Sequence, residues 1–292
     1  MTGEIWTVVR LLSATTDFLA GKGSSTPRLD AELLLARVLA LPKIQLYVGF
    51  ERQVEPGELD QYRELVRRRA RREPVAYILG EKEFYGLKLT TTPAALIPRP
   101  ETEHLVDEAL RLARKHWPDE ALKVADIGCG GGAIALALAA NLPQAEISAV
   151  DISPEALDLA LANARALGLE GRVDFIRGDL AAPLAGRSFH LACANLPYIP
   201  GAEMAGLMPD VKDHEPHLAL DGGPEGLALI RRLAADSPGF LEPDGRLILE
   251  IWPASLAALT VSAEGAGLVV EEVLRDLAGH QRVVTLARRP GN

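Results

Sequence analysis

Two short runs contain residues whose types and spacing could do chemistry. The first is Val124-Ala125-Asp126-Ile127-Gly128-Cys129-Gly130-Gly131-Gly132, a glycine-rich turn between a compact apolar run and an Ala/Leu-rich stretch. Glycines at such a place let the backbone bend sharply and let a ligand approach the main chain closely, which predicts a nucleotide-like cofactor. The second is Ala194-Asn195-Leu196-Pro197-Tyr198-Ile199-Pro200, an apolar run ending in an amide, a proline and an aromatic ring. An amide or aromatic amine nitrogen is a poor nucleophile because its lone pair is delocalised. The Asn195 side-chain oxygen and the Leu196 carbonyl can each accept one N–H from such a group and support positive charge as it develops. Tyr198 can cover the acceptor's flat face and offer cation–π stabilisation. Methyl transfer to a planar nitrogen fits this arrangement and needs no strong general base.

The glycines alone do not define the cofactor, since Gly128, Gly130 and Ala133 also satisfy the dinucleotide pattern. Asp126 discriminates: an anion gains nothing beside a pyrophosphate, whereas S-adenosylmethionine carries a sulfonium and an ammonium and no phosphate. Asp151, closing the next strand-like run, is placed to accept hydrogen bonds from ribose hydroxyls. Asp179, in Arg177-Gly178-Asp179-Leu180, is a turn residue that could read an adenine amino group, with Leu180 as an apolar contact for the ring. A glycine-rich turn that binds nothing is the plainer reading, but turn, following helix and distal Asp151 coincide. No Lys-Ser or Lys-Thr follows the glycines, so this is no Walker loop.

The elements that must position these runs follow from apolar periodicity. Strands are expected at Leu122 to Ile127, Glu146 to Val150, Val173 to Ile176, Phe189 to Ala194, Arg246 to Ile251, Leu268 to Leu274 and Val283 to Leu286, with helices at Gly132 to Asn141, Pro154 to Leu167 and Glu225 to Ala235. Alternation of this kind predicts an α/β fold with a mostly parallel seven-stranded sheet, Rossmann-like, whose ligands gather at the carboxyl ends of the strands. Residues 4 to 72 instead carry helix-period spacing and form a small helical domain, its last helix beginning near Pro56. The expected organisation is residues 1–80 as a helical N-terminal docking domain, 81–95 as a linker hairpin turning at Gly86, and 96–292 as the catalytic domain. The run Arg67-Arg68-Arg69-Ala70-Arg71-Arg72 reads as a solvated helix end matched to the helix dipole, or as an electropositive docking surface.

Composition narrows the partners. A net charge of −9 over 292 residues disfavours a protein that binds mainly by neutralising phosphates. The two cysteines, Cys129 and Cys193, stand apart without CxxC neighbours, which suggests neither disulfides nor zinc and fits a reducing cytoplasm. No signal peptide and no run of about 18 uncharged apolar residues is evident, so no membrane is expected. His214-Glu215-Pro216-His217 lacks the one-face pairing of a zinc helix, and no metal is expected.

With these residues in view, the chain resembles the peptide chain release factor glutamine methyltransferases over nearly its whole length. The likeness runs through Pro74 to Gly80, Glu83-Phe84-Tyr85-Gly86, Leu96-Ile97-Pro98-Arg99-Pro100-Glu101-Thr102-Glu103, Asp126 to Gly132, Asp151-Ile152-Ser153, Asn195 to Tyr198, Glu215-Pro216 and Ala219 to Gly223. The resemblance implies a class I methyltransferase domain using S-adenosylmethionine and leaving S-adenosylhomocysteine. It implies that the glutamine side-chain amide of the Gly-Gly-Gln loop in class-1 release factors is methylated, a modification belonging to translation termination, and that the helical domain docks that factor. It also assigns acceptor binding to Asn195 and Tyr198, cofactor binding to Gly128 to Gly132, Asp151 and Asp179 or Leu180, and the pocket's shape to the Pro98, Arg99 and Glu101 loop. A cytoplasmic monomer with no direct nucleic-acid partner is expected.

Two departures stand out. Leu196 replaces the first proline of the family's Asn-Pro-Pro-Tyr; the group needed there is a backbone carbonyl, so the chemistry survives with less rigidity. The leucine form also resembles the rRNA adenine dimethyltransferases. Trp252 and Ser255 stand where the family has Gly and Gln, which leaves the loop after Glu250 without an assigned role. The alternatives are an adenine N-methyltransferase acting on nucleic acid, which shares the Asn195 to Tyr198 logic, a NAD-dependent oxidoreductase, which leaves that motif unexplained, and a noncatalytic adaptor, which leaves Asn195 and Asp151 without purpose.

Overall fold

The computed structural model describes residues 5–118 and 120–289. The chain divides into two compact units, Met1–Glu81 with Met208–His214, and Lys82–Leu207 with Glu215–Asn292.

The first unit is helical: α1 (Val8–Gly21), α2 (Pro27–Leu39), α3 (Lys43–Val48), α4 (Pro56–Ala70) and α5 (Val75–Leu79). Its core is built on Leu12, Leu34, Leu35 and Tyr62, each at most 1% exposed, and the buried Tyr62 hydroxyl donates to the Ala31 carbonyl at 3.1 Å. Pro56 opens α4 at a position that needs no N–H, and Glu55 and Glu58 close a reciprocal capping box around it. In the arginine run at the end of α4, Arg67 and Arg71 stay exposed and Arg69 is buried, with most of the run paired to acids of the same unit. Arg69 is buried between Asp30 at 2.6 Å and Asp210 at 2.7 Å, Arg72 also pairs with Asp210, Arg68 with Glu73, and Arg67 with Glu64. The segment Met208–His214, carrying the short helix α9 (Pro209–Lys212), belongs to this unit through that pairing.

The second unit begins with a two-stranded hairpin, β1 (Glu81–Phe84) and β2 (Leu87–Thr90). Its turn residues Tyr85 and Gly86 both have positive φ, 50° and 73°, the combination that lets a two-residue loop follow the strand twist. Helices and strands then alternate through α6 (Glu103–His116), β3 (Lys123–Ile127), α7 (Ala133–Asn141), β4 (Glu146–Asp151), α8 (Pro154–Ala166), β5 (Val173–Arg177), β6 (Phe189–Ala194), α10 (Ala228–Asp236), β7 (Leu241–Glu250), α11 (Leu256–Gly265), β8 (Leu268–Arg275) and β9 (Gln281–Arg288). The sheet is seven-stranded in the order β5-β4-β3-β6-β7-β9-β8, parallel from β5 to β7 and antiparallel at β7–β9–β8. It buries both faces, and successive residues of β3 divide between them: Val124 joins the core that includes Leu105 and Leu136, while Ala125 and Ile127 join the one that includes Phe189 and Leu249.

Because β3 has β4 on one side and β6 on the other, the strand order reverses there, and a crevice opens beyond the carboxyl ends of these strands. Two helices absent from the sequence expectations complete the layers, α6 and α11. Among the described residues, no helix is long and apolar enough to cross a membrane.

Candidate active site

The crevice is a cavity of about 340 Å³ in the second unit. Its floor is the turn after β3, where Gly128, Gly130 and Gly132 take φ of 76°, 54° and 84°, values that a side chain would strain. The Gly128 and Cys129 amides donate to the Val150 carbonyl at 2.8 and 3.0 Å, tying the turn to β4. Asp151 finishes the job from the end of β4: Oδ2 accepts the Gly130 N–H at 2.8 Å and Oδ1 the Ser153 N–H at 2.9 Å. Each oxygen keeps a lone pair for a ligand, and Asp151 lines the cavity. Gly128, Cys129, Gly130, Gly131, Asp179, Leu180, Asn195, Leu196, Pro197, Pro98 and Arg99 line it as well.

Asp126, Gly132, Tyr198 and Glu101 are not on the wall. Gly132 is the N-cap of α7, where a Cβ would lie 3.1 Å from Ala160. Glu101 is solvent-exposed in the turn before α6. Asp126 calls for the largest correction, because the expected anion facing the cofactor's charges lies fully buried behind the turn. Its Oδ2 accepts the Ala135 N–H at 2.9 Å inside the first turn of α7, and its Oδ1 has no partner. Burial, with some help from the nearby Asp151 charge, pushes its carboxyl up from 3.8 to about 7.

A carboxyl whose pKa is higher folded than unfolded stabilises the fold only while it stays protonated, so its contribution is complete near pH 4 and lost as pH rises through 7. A rise of this size is worth on the order of 4 kcal/mol. Asp126→Asn, which keeps an acceptor for Ala135 without a charge, is expected to flatten this loss. The urea midpoints at pH 5 and pH 8 should lie closer together in the variant than in wild type; parallel pH slopes would show that Asp126 does not titrate in this range.

The cavity contains two cations, Arg99 and Arg232, and both are already committed. Arg99 pairs with the buried Glu215, whose other oxygen accepts the Ile97 N–H at 3.1 Å. Arg232 reaches Asp179 at 2.7 Å across the rim. With Arg99 paired to Glu215 and Arg232 to Asp179, the Asp151 carboxylate is the charge left uncompensated on the wall, and the lining suits a cationic ligand and not a pyrophosphate. Leu180, with φ 49°, presents its apolar side chain beside Asp179.

The acceptor run leaves β6 at Asn195 and is clamped from outside by 220–226. Ile199 and Asp221 form a parallel bridge, the Ile199 N–H donates to the Leu220 carbonyl at 3.1 Å, and the Gly222 N–H returns to the Ile199 carbonyl at 2.9 Å. Backbone lies against backbone here: a Cβ on Gly226 would fall 2.2 Å from the Tyr198 carbonyl oxygen, and one on Gly222 2.7 Å from that of Pro197. Gly226→Ala should therefore displace the run, destabilising the protein by about 1–3 kcal/mol and lowering the rate of whatever reaction the site performs. An unaltered rate would show that the run tolerates the shift. On the inner side, Leu196 is buried and its Cδ2 lies 2.7 Å from where a Gly128 Cβ would be. The leucine of this motif therefore packs directly on the glycine turn.

Tyr198 does not lie over the cavity. Its ring tilts against Trp252, with centroids 6.3 Å apart, and its hydroxyl donates to Glu250 Oε1 at 2.9 Å. Glu250, at the end of β7, is 1% exposed and also accepts from Thr102 Oγ1 through Oε2 at 2.6 Å. Thr102 in turn accepts from Asn195 Nδ2 at 3.1 Å. Parallel pairing of β6 with β7 brings Glu250 beside Asn195, and the turn Pro100–Thr102 supplies the hydroxyl between them. The sequence signal for Glu250 is a carboxylate directly following the buried Leu247-Ile248-Leu249. Among the described residues no cluster of three or more His, Cys, Asp or Glu could hold a metal.

Comparison with known proteins accords with this geometry. Residues 10–80 match the model of the PrmC N-terminal domain, and residues 124–214 a methyltransferase domain. The chain is 42% identical over 286 residues to a release factor glutamine methyltransferase of Rhodopirellula baltica, covering 97% of each chain. It is 45% identical over 248 residues to one of Geobacter sulfurreducens, covering 85% of each. A solved methyltransferase from Pyrococcus furiosus shares the fold, with a TM-score of 0.50 at 16% identity, over 69% of this chain and 88% of that one. Extended identity of this kind, over both the helical unit and the sheet that carries the cavity, shows that the chain belongs to the release factor glutamine methyltransferase family.

Proposed function

We propose that the cavity binds S-adenosylmethionine and that the enzyme methylates the side-chain amide nitrogen of the glutamine in the Gly-Gly-Gln loop of class-1 release factors. One observation carries this reading: the acceptor run Asn195 to Pro197 and the glycine turn with Asp151 are walls of the same cavity, at the carboxyl ends of neighbouring strands.

When bound, S-adenosylmethionine supplies the electrophilic methyl of its sulfonium. Asp151 accepts ribose hydroxyls with the lone pairs left over from Gly130 and Ser153, and Asp179 with Leu180 bounds the adenine end. Asn195 Oδ1 and the Leu196 carbonyl each accept one N–H of the acceptor amide, so that its lone pair is directed at the methyl instead of being averaged over free rotation. Methyl transfer would form the N–C bond as the methyl–sulfur bond breaks, leaving S-adenosylhomocysteine; the same two oxygens would stabilise the charge that passes to the nitrogen, which then gives up one proton to solvent. Leu196, seated on Gly128, keeps the distance between acceptor and cofactor walls fixed and excludes water from the gap. The helical unit docks the release factor, and the reaction takes place in the cytoplasm.

The reading is tested by transfer of radiolabelled methyl from S-adenosylmethionine to a purified class-1 release factor, to the same factor with the Gly-Gly-Gln glutamine replaced, and to rRNA. Label on the intact factor alone is the expected result. Label on RNA and none on protein would give the site to a nucleic-acid acceptor.

A further inference from the structure

We infer that Thr102 and Glu250 are positioning residues that fix which end of the Asn195 amide faces the acceptor, an inference that rests on the reading of Asn195 as an N–H acceptor. The argument is a count of hydrogens. A threonine hydroxyl has one hydrogen to give and lone pairs to accept with, and an ionised carboxylate can only accept. Each oxygen of the buried Glu250 faces a hydroxyl, Thr102 at 2.6 Å and Tyr198 at 2.9 Å. The single Thr102 hydrogen is therefore committed to Glu250. What Thr102 turns toward Asn195 is a lone pair, and only the NH₂ end of the amide can meet it, which it does at 3.1 Å.

Asn195 Oδ1 is thereby directed away from Thr102. This polarity decides function. The two ends of an asparagine amide have nearly the same shape, so packing alone discriminates poorly between them, whereas the acceptor's N–H requires an oxygen. A flipped Asn195 would oppose NH₂ to NH₂ and repel the group it should hold. Burial pushes the Glu250 carboxyl above its ordinary range, and the hydroxyls of Thr102 and Tyr198 counter part of that rise by donating to its ionised form, the form on which the count of hydrogens rests. Glu250 thus sets Tyr198 and Asn195 together, one directly and one through Thr102, without touching the acceptor.

Thr102→Val keeps the shape and removes the hydroxyl; Thr102→Ser keeps the hydroxyl. The test measures kcat and KM for the release factor, S-adenosylmethionine affinity by calorimetry, and thermal midpoint, on the full chain. Thr102→Val is expected to lower kcat at least about tenfold, the effect of losing one orienting hydrogen bond, with cofactor affinity and KM within about twofold of wild type. Thr102→Ser is expected to restore kcat to within about threefold at the same cofactor affinity. Wild-type kcat in Thr102→Val, or equal losses in the two variants, would overturn the relay. Wild-type enzyme that leaves the factor's glutamine unlabelled would instead overturn the reading of Asn195 on which the relay depends.

Discussion

Asn195→Ala is expected to lower methyl transfer by roughly 10²–10³-fold, the range found when one preorganised hydrogen-bonding group is removed from a developing charge. S-adenosylmethionine affinity should stay near wild type. The side chain lines the cavity and its amide nitrogen is held by Thr102, which on the proposed reading leaves its oxygen for the acceptor. Its removal therefore leaves the cofactor's polar partners, Asp151 and the glycine turn, in place. Single-turnover rates with saturating cofactor, beside calorimetric affinities, separate the two effects. Equal loss of rate and affinity would mean that Asn195 holds the cofactor and not the acceptor.

Asp151→Ala should do the reverse and weaken cofactor binding more than it slows turnover. Its carboxylate fixes the Gly130 and Ser153 amides, and on the proposed reading its remaining lone pairs take the ribose hydroxyls. Loss of a hydrogen bond to a charged group is worth about 1.5–3 kcal/mol, so cofactor affinity should fall roughly 10- to 100-fold. The fall in kcat at saturating cofactor should be smaller. Asp151→Asn retains one accepting oxygen and should lie between the two. If affinity in Asp151→Ala were unchanged, the cofactor would have to enter elsewhere than over the end of β4.

The sheet was legible in the sequence because each central strand is a short apolar run bounded by turn residues, and runs such as Val173 to Arg177 and Phe189 to Ala194 can be neither helix nor loop once their neighbours are placed. The two helices not foreseen differ in kind. In α6 the buried Leu105, Val106, Ala109, Leu110, Leu112 and Ala113 recur at helical spacing, so the signal was present beside a motif-rich loop that also reads as irregular. In α11 small and apolar residues surround the helix on every side, and periodicity fades. β7 extends N-terminally to Leu241, through Pro243 and Gly245, because its pairing with β6 shifts register between Phe189 and Leu191, a tertiary adjustment with no local marker.

The site was legible where its chemistry is local. Gly128 to Gly131, Asp151 and Asn195 to Pro197, which stand out in the sequence as turns at strand ends, line one cavity. Asp126 misled because an acid beside a glycine turn reads equally well as a ligand for charge or as a helix-capping acceptor, and only the direction of its side chain distinguishes the two. Tyr198 misled in the same way: its hydroxyl has a partner in Glu250, which lies 52 residues away in the sequence. Thr102 and Glu250 were in plain view, one inside the Leu96 to Glu103 motif and one before Trp252, but neither has a role until β6 and β7 lie side by side. Arg69 shows the same limit in the helical unit, where a run that reads as a solvated helix end contains a guanidinium buried between Asp30 and Asp210.

The most direct test of the account is tandem mass spectrometry of a class-1 release factor after incubation with the enzyme and S-adenosylmethionine. The account predicts that the peptide containing Gly-Gly-Gln becomes one methylene heavier, with the added mass on the glutamine side chain, and that Asn195→Ala, while still binding cofactor, leaves nearly all of the peptide unmodified in the time wild type needs to complete the reaction. A methyl group on any other residue of the factor, or a peptide that remains unmodified with wild-type enzyme that binds cofactor, would contradict it.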